Sequence, residues 1–276
     1  MIQVRFWGVR GSIPTPSPET IQIGGNTSCI EVRAGKKLII FDAGTGLRVL
    51  GNKLMKEMPV KASMFFSHMH WDHIQGFPFF VPALVPGNHF DLYGGKSLTT
   101  TLAETLAGQM NFPNFPLTLD QMASTMIFHE FNDGQVVDLG DGVTVMALSL
   151  NHPNGCYGYR LMHDGKAITY CTDTEHSAEV DQNALALAKD TDLFIYDAQY
   201  TPEEYVGEEG GTSRVGWGHS TYAEGARLAK LAGAKKLILF HHAPEHDDDT
   251  VRDIEQRAKA LFKETVAARE GLEYTL

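Results

Sequence analysis

Four side chains able to bind a metal crowd into six positions in "HMHWDH", residues 68–73, directly behind the apolar run "KASMFF". His68, His70, Asp72 and His73 stand at i, i+2, i+4 and i+5. A single helix would put residues 68 and 72 on one face and turn 70 elsewhere, so it would not converge all four. At the end of a strand, residues 68 and 70 point to the same side. A turn into a helix at Trp71 then swings Asp72 and His73 back to the same point. The chain must therefore supply a strand that ends on the cluster and a helix that begins inside it. Imidazoles with a carboxylate suit zinc, manganese or iron, and no cysteine competes. The alternative is a polar turn that happens to be rich in histidine; four ligand-type residues in six favour the metal.

Composition narrows the setting. At 276 residues and 43% hydrophobic, the chain can bury a sizeable core, and a single domain over 1–276 is expected. It shows no apolar leader and no run of 18 apolar residues, which predicts a soluble cytoplasmic protein with no membrane partner. Cys29, Cys156 and Cys171 are odd in number and lack metal-type spacing, so buried free thiols are expected. The formal net charge of −11 argues against a broad duplex- or tRNA-binding face and against a stable nucleic-acid partner.

Along the chain, "IQVRFWG", "SCIEVRA" and "KLIIFDAG" read as strands separated by Gly, Pro, Ser and Asn loops. "GLRVLGNKLMKEM" has helical spacing, "FDLYG" reads as a short strand, and "SLTTTLAETLAGQM" as a helix. Residues 111–124 are irregular and aromatic; Phe112, Phe115 and the Trp217 loop read either as a lid able to stack a base or, as is commoner for such residues, as core and loop anchors. "TMIFHEF", "QVVDLG", "VTVMALSLNH", "YGYRLMHDG" and "AITYCTD" read as strands. A helix near 181–190, strand "DLFIYDA", helix "TYAEGARLAKLAG", strand "KKLILFHH" and a helix over about 248–268 follow. Strands in blocks, then alternating with helices, predict an α/β fold of two sheets packed face to face with helices outside.

Three later β-like runs also end on ligand-type residues: "VMALSLNHP" on His152, "AITYCTDTE" on Asp173, and "KLILFHHAPEHDD" on His241 and His242. Each alone reads equally well as a loop, a cap or a solvated turn. Their recurrence at strand ends joins them to the first cluster.

"HMHWDH", "NHP", "TDTE" and "LILFHH", in this order, resemble the metallo-β-lactamase superfamily, and the resemblance spans most of the chain. "GHSTYAEGARLAKLAGAKKLILFHH" (218–242) is similar to the C-terminal part of ribonuclease Z-like phosphodiesterases. "WGVRGSIPTP" and "GGNTSCIEV" resemble cyclic-nucleotide-directed or uncharacterised members. The resemblance implies a four-layer αβ/βα sandwich with two divalent metal ions at the edge between the sheets: zinc first, manganese or iron otherwise. It implies that His68, His70 and His152 hold one metal and Asp72, His73 and His241 the other. Asp173 bridges them together with a hydroxide. His241 rather than His242 follows from the family's strand-end histidine, and Asp42 in "IIFDAGTG" matches an aspartate that supports the ligands. His219 in "WGHST" matches the family's leaving-group histidine and counts as catalytic with Asp72 and Asp173; an exposed helix-start residue is the other reading. His89, His129, His163 and His176 lack motif context, and His246 and Asp247 support the ligands or are solvated.

The function expected is metal-dependent phosphodiesterase action on a small phosphodiester or nucleotide, cyclic nucleotides included, with a homodimer as the assembly considered. A tRNA 3′-end endonuclease, a lactonase or thioester hydrolase, and a non-catalytic metal-binding module are the alternatives. No long basic, Gly/Pro-rich insertion resembling a tRNA-gripping arm is present, and a complete ligand set argues against the module.

Overall fold

The computed structural model describes residues 1–95, 100–208 and 211–276. Two seven-stranded sheets carry the fold. The first contains β1 (Ile2–Gly8), β2 (Cys29–Ala34), β3 (Lys37–Phe41), β4 (Lys61–Phe66), β5 (His89–Gly95), β6 (Thr125–Phe131) and β14 (Glu273–Thr275), in the order β14-β1-β2-β3-β4-β5-β6. The second contains β7 (Val136–Gly140), β8 (Val143–Leu150), β9 (Cys156–His163), β10 (Lys166–Cys171), β11 (Leu193–Asp197), β12 (Leu237–Phe240) and β13 (Thr265–Ala267), in the order β13-β12-β11-β10-β9-β8-β7. Antiparallel pairs run from β14 to β3 and from β7 to β10; the remaining pairs of each sheet are parallel.

The parallel stretches explain the strand sequences. "KLIIF", "LFIYD" and "LILF" are almost wholly buried, because one face meets the opposite sheet and the other meets helices. In β8, by contrast, "VTVMALSL" alternates buried and half-buried side chains, as an antiparallel strand with one wetter face does. Between the sheets, Phe41 packs against Tyr159 and Tyr170 with ring centroids 5.6 and 5.5 Å apart, and Phe6 lies 6.1 Å from Phe240. Outside the first sheet, α1 (Gly46–Leu54) and α3 (Leu102–Gln109) cover Ile40, Met64 and Leu92. Outside the second, α4 (Gln182–Ala188), α6 (Tyr222–Ala232) and α7 (Asp248–Leu261) cover Phe194, Tyr196 and Leu239. The result is the four-layer αβ/βα sandwich with two mixed sheets. Two short helices remain: α2 (Trp71–Ile74) opens inside the histidine cluster, and α5 (Pro202–Val206) follows β11.

The helix expected over 46–58 ends at Leu54, and two further element boundaries also differ from the sequence expectation. The last helix ends at Leu261, not near 268, because β-branched Thr265 and Val266 pair in parallel with Leu237 and Ile238. The helix expected over 97–110 begins at Leu102, where Thr101 and Glu104 form a capping box; residues 97–99 lie outside the described residues. Among the described residues no helix is long and apolar enough to cross a membrane.

Candidate metal centre

The loops leaving β4, β8, β10 and β12 meet at one edge of the sandwich, and they bring together all seven residues singled out as ligands. His68, His70, His152 and Asp173 form one set, and Asp72, His73, Asp173 and His241 the other, each with donor atoms within 4.8 Å of one another. Asp173 belongs to both. Its Oδ1 lies 3.2 Å from His73 Nε2 and 3.3 Å from His241 Nε2; its Oδ2 lies 3.6 Å from His68 Nε2 and 3.9 Å from His152 Nε2.

Neighbouring groups fix which ring nitrogen faces the centre. His73 Nδ1 donates to Asp42 Oδ2 at 2.8 Å, His241 Nδ1 to Gln199 Oε1 at 2.8 Å, and His152 Nδ1 to the Gly218 carbonyl at 2.7 Å. Each of these rings therefore turns its Nε2 lone pair inward. Ser67 Oγ–H donates to Asp42 Oδ2, which leaves that hydroxyl to accept from His68 Nδ1 at 3.2 Å. His68 Nε2 is then a buried nitrogen with no hydrogen-bond partner in the protein. Burial keeps that imidazole well below the usual histidine range, so it is neutral and its lone pair is unused.

These distances fit a cation. A tetrahedral shell with metal–nitrogen bonds of about 2.0–2.1 Å has ligand–ligand edges of roughly 3.3 Å. His73 Nε2 stands 3.2 Å from His241 Nε2 and 3.2 Å from Asp72 Oδ2, while His241 Nε2 stands 3.1 Å from Asp72 Oδ2. With the two contacts to Asp173 Oδ1, five edges agree. The first set is looser: His70 Nδ1 and His152 Nε2 are 3.2 Å apart, but the edges to Asp173 are longer and His70 is partly exposed. Electrostatics points the same way. Burial opposes the charge on Asp173, yet His241, His73 and His68 hold its carboxyl well below the ordinary range. Burial likewise opposes charge on His73, and Asp173, Asp72 and Asp42 outweigh it and push that imidazole well above its usual value. The residues gathered here fit a divalent metal site.

The backbone is shaped to deliver these groups. Asp42, Asp173 and His241 sit at φ of 59°, 50° and 62°, left-handed conformations that cost a non-glycine residue about 1–3 kcal/mol each. His242, next along the chain, instead turns its Nε2 to the Ala268 carbonyl at 2.9 Å, and burial lowers it to about 3. The segment after β1 seals one side. Gly11 N–H donates to the His242 carbonyl, His242 N–H to the Val9 carbonyl, and Ser12 N–H to Asp72 Oδ2 at 2.8 Å. A Cβ on Gly11 would stand 2.5 Å from the His241 ring, so only glycine passes there.

His219 stands above the second set, its ring stacked on His241 with centroids 5.0 Å apart. Its Nδ1 is 2.9 Å from Asp197 Oδ2, and it is buried, not an exposed helix-start residue; Thr221 caps α6 instead. Burial works against its charge, but Asp197, then Asp173 and Asp72, push the imidazole up to about 9. Asp197 is not among the expected site residues, although "LFIYD" runs into an aspartate as "IIFD" and "ITYCTD" do. Gln199 and Tyr170, whose hydroxyl donates to Asp42 Oδ2 at 2.7 Å, were also missed and carry no local signal. Glu175 of "TDTE" accepts from Gly216 N–H, Gly218 N–H and the Tyr205 hydroxyl, so it pins the loop carrying His219.

His219, Asp173, Asp72, His70, Met69, Trp71 and Ser12 line an open cleft. Neither Phe112 nor Phe115 belongs to it. Phe112 is exposed, and Phe115 packs on Phe79 outside the first sheet. His89 and His129 share Asp91, and His163 lies beside Asp164, away from the ligand sets. His176 contacts Ser220 Oγ, and His246 pairs with Glu204. All three cysteines are buried and free.

Residues 37–242 match the family model of the beta-lactamase superfamily domain. A ribonuclease Z from Methanosarcina acetivorans is 25% identical over an alignment of 324 residues, covering 99% of this chain and 97% of that protein. The metallo-beta-lactamase fold protein YhfI from Bacillus subtilis superposes with a TM-score of 0.73 at 20% identity, covering 100% of both chains. A diphosphatase of the PhnP family gives 0.72 at 17% identity, covering 100% of this chain and 98% of that one. With the match running from β3 to the end of β12 and the histidine–aspartate cluster inside it, the chain belongs to the metallo-β-lactamase superfamily of hydrolases.

Proposed function

We propose that this protein is a dinuclear metal-dependent phosphodiesterase that hydrolyses small phosphodiesters, with nucleotides and cyclic nucleotides as the substrate class. His68, His70 and His152 would hold one cation and Asp72, His73 and His241 the other, with Asp173 shared. The donor set favours zinc, with manganese and iron competing for the same nitrogen and oxygen atoms. When bound, such a pair supplies Lewis acidity toward phosphoryl oxygens and lowers the pKa of water.

The observation that carries the reading is the His219–Asp197 pair beside the shared carboxylate. Asp197 accepts a hydrogen bond from His219 Nδ1–H and is itself held by the backbone N–H groups of Thr174 and Gln199. The other ring nitrogen of His219 is left to hold a proton for a departing alkoxide. The Asp197 and Asp173 charges favour the protonated ring, and two bound cations would oppose them. Gln199 and Asp42 keep their histidines oriented, and Ser12 N–H steadies Asp72. In this reading the enzyme is cytoplasmic, needs neither membrane nor a stable nucleic-acid partner, and assembles as a homodimer.

A second reading, tRNA 3′-end cleavage, is favoured by the ribonuclease Z relative. Against it stands the net charge of −11. The alignment with that relative also runs over 324 positions against 276 residues here, so the relative carries insertions this chain lacks. The test is turnover by the metal-loaded protein of bis-p-nitrophenyl phosphate, cyclic mononucleotides, cyclic dinucleotides, lactones, thioesters and pre-tRNA. Diester hydrolysis without pre-tRNA trimming is expected. Efficient trimming with no turnover of small diesters, or turnover of lactones or thioesters alone, overturns the proposal.

A further inference from the structure

Trp71 is the first residue of α2, and the three residues after it, Asp72, His73 and Ile74, are all buried. A helix this short, with its other members turned inward, leaves position 71 facing out. Geometry thus dictates exposure there, but it does not dictate the side chain. A polar residue would fill the position without leaving a large apolar surface in water. Yet Trp71 is 78% exposed, against 9% for Trp7 and 49% for Trp217, and Trp217 already has the Arg214 guanidinium 4.8 Å over its ring. The Trp71 indole also lines the cleft that holds Asp72, Asp173 and His219. A bare indole offers a flat π-face and carries no charge of its own. It selects an aromatic group in preference to a second phosphate.

We propose that Trp71 is the stacking platform for a nucleobase, so that the preferred substrate is a nucleoside phosphodiester. The base lies on the indole and the phosphodiester reaches the histidine–aspartate cluster. The inference rests on the phosphodiesterase reading. Because every base has a π-face, the platform accepts purines and pyrimidines alike.

The test compares two esters with the same leaving group, the p-nitrophenyl ester of thymidine 5′-monophosphate and methyl p-nitrophenyl phosphate, on protein of measured metal content. Trp71→Ala should lower the ratio of their kcat/KM values roughly 5- to 150-fold, the worth of one base stack. Trp71→Phe should restore most of the ratio. A ratio within twofold of wild type, even with both activities reduced, overturns the inference, since Trp71 would then serve only to hold the ligand turn. Fluorescence supplies the second readout. Thymidine 5′-monophosphate should quench the wild-type protein and Trp217→Phe, while ribose 5-phosphate should not; Trp71→Phe should lose the quenching. Quenching retained in Trp71→Phe overturns the inference. If wild type cleaves neither ester, the phosphodiesterase reading falls, and the fluorescence result still decides whether Trp71 stacks a base.

Discussion

Around Asp173 Oδ1, the donor atoms of Asp72, His73 and His241 stand 3.1–3.3 Å from their neighbours and all are buried. Around Oδ2, His68 and His152 stand back at 3.6 and 3.9 Å, and His70 reaches solvent. One carboxylate thus divides a closed, tetrahedron-sized position from a wider one. The difference matches the division between metal sites that are filled by protein ligands and those that keep a place for water or substrate. On the proposed dinuclear reading, the wider position would have room for water or substrate and the closed one would retain its cation.

The sharpest way to break that comparison is Asp173→Ala, which removes the one ligand both positions share. Both cations and all diester activity should go together, as read by elemental analysis beside turnover. If one metal and measurable activity survive, the positions are independent.

His219→Ala should keep both metals yet lower kcat by roughly 10²–10⁴-fold on a cyclic nucleotide, the span of a positioned general acid. The loss should be smaller for p-nitrophenyl esters, whose leaving group needs little proton help. Equal losses on both would make His219 a binding group.

Two changes outside the ligand shell should separate the positions. Asp42→Asn replaces the charged acceptor of His73 Nδ1–H with a neutral amide and should weaken the closed position roughly 10- to 100-fold. Gly218→Ala places a Cβ 2.3 Å from His152 Nδ1 at a φ of +86°, which should displace that ring and weaken the wider position. Chelator titration with metal counting tells the two apart; loss of the same cation in both variants refutes the division.

The smallest effect is a control remote from either position. Glu31 lies buried under Trp7, Arg33 and Lys53 on β2. Burial opposes its charge, but hydrogen bonds from Arg33 and Trp7 win and hold the carboxyl below its ordinary value. Its contribution to stability is therefore present above the unfolded pKa of about 4.3 and is lost as pH falls through the lower folded value. Glu31→Gln should flatten that acid limb of a melting-temperature profile and leave metal content unchanged. A steep limb that persists would assign acid sensitivity elsewhere.

How much of this was legible in the sequence depends on distance along the chain. "HMHWDH" predicts a strand-to-helix turn because its four ligand-type residues fall within six positions. Choosing His241 over His242 needed the family resemblance. Both follow the same strand, and only the tertiary fold separates them: Val9 and Gly11 hold the His242 backbone, and its Nε2 meets the Ala268 carbonyl. Asp197 shares the strand-end pattern of Asp42 and Asp173, but its partner His219 lies 22 positions away. The three-residue strands β13 and β14 are too short for period-two patterning and exist only because longer neighbours offer an edge.

The pairing of β14 with β1 has a consequence for synthesis. Ile2 and Leu276 exchange backbone hydrogen bonds, so β1 waits for residues made much later before its outer edge is paired. At about 5–20 residues per second, a ribosome leaves the outer edge of β1 unpaired for roughly 15–55 s. His241 follows β12, so the closed donor set is complete only once that strand has been made. Until then the nascent chain carries an open, apolar strand edge, the kind of surface on which chains pair with one another instead of with themselves. Slowing elongation beyond β12 should therefore lower soluble yield more than the same delay placed before β4.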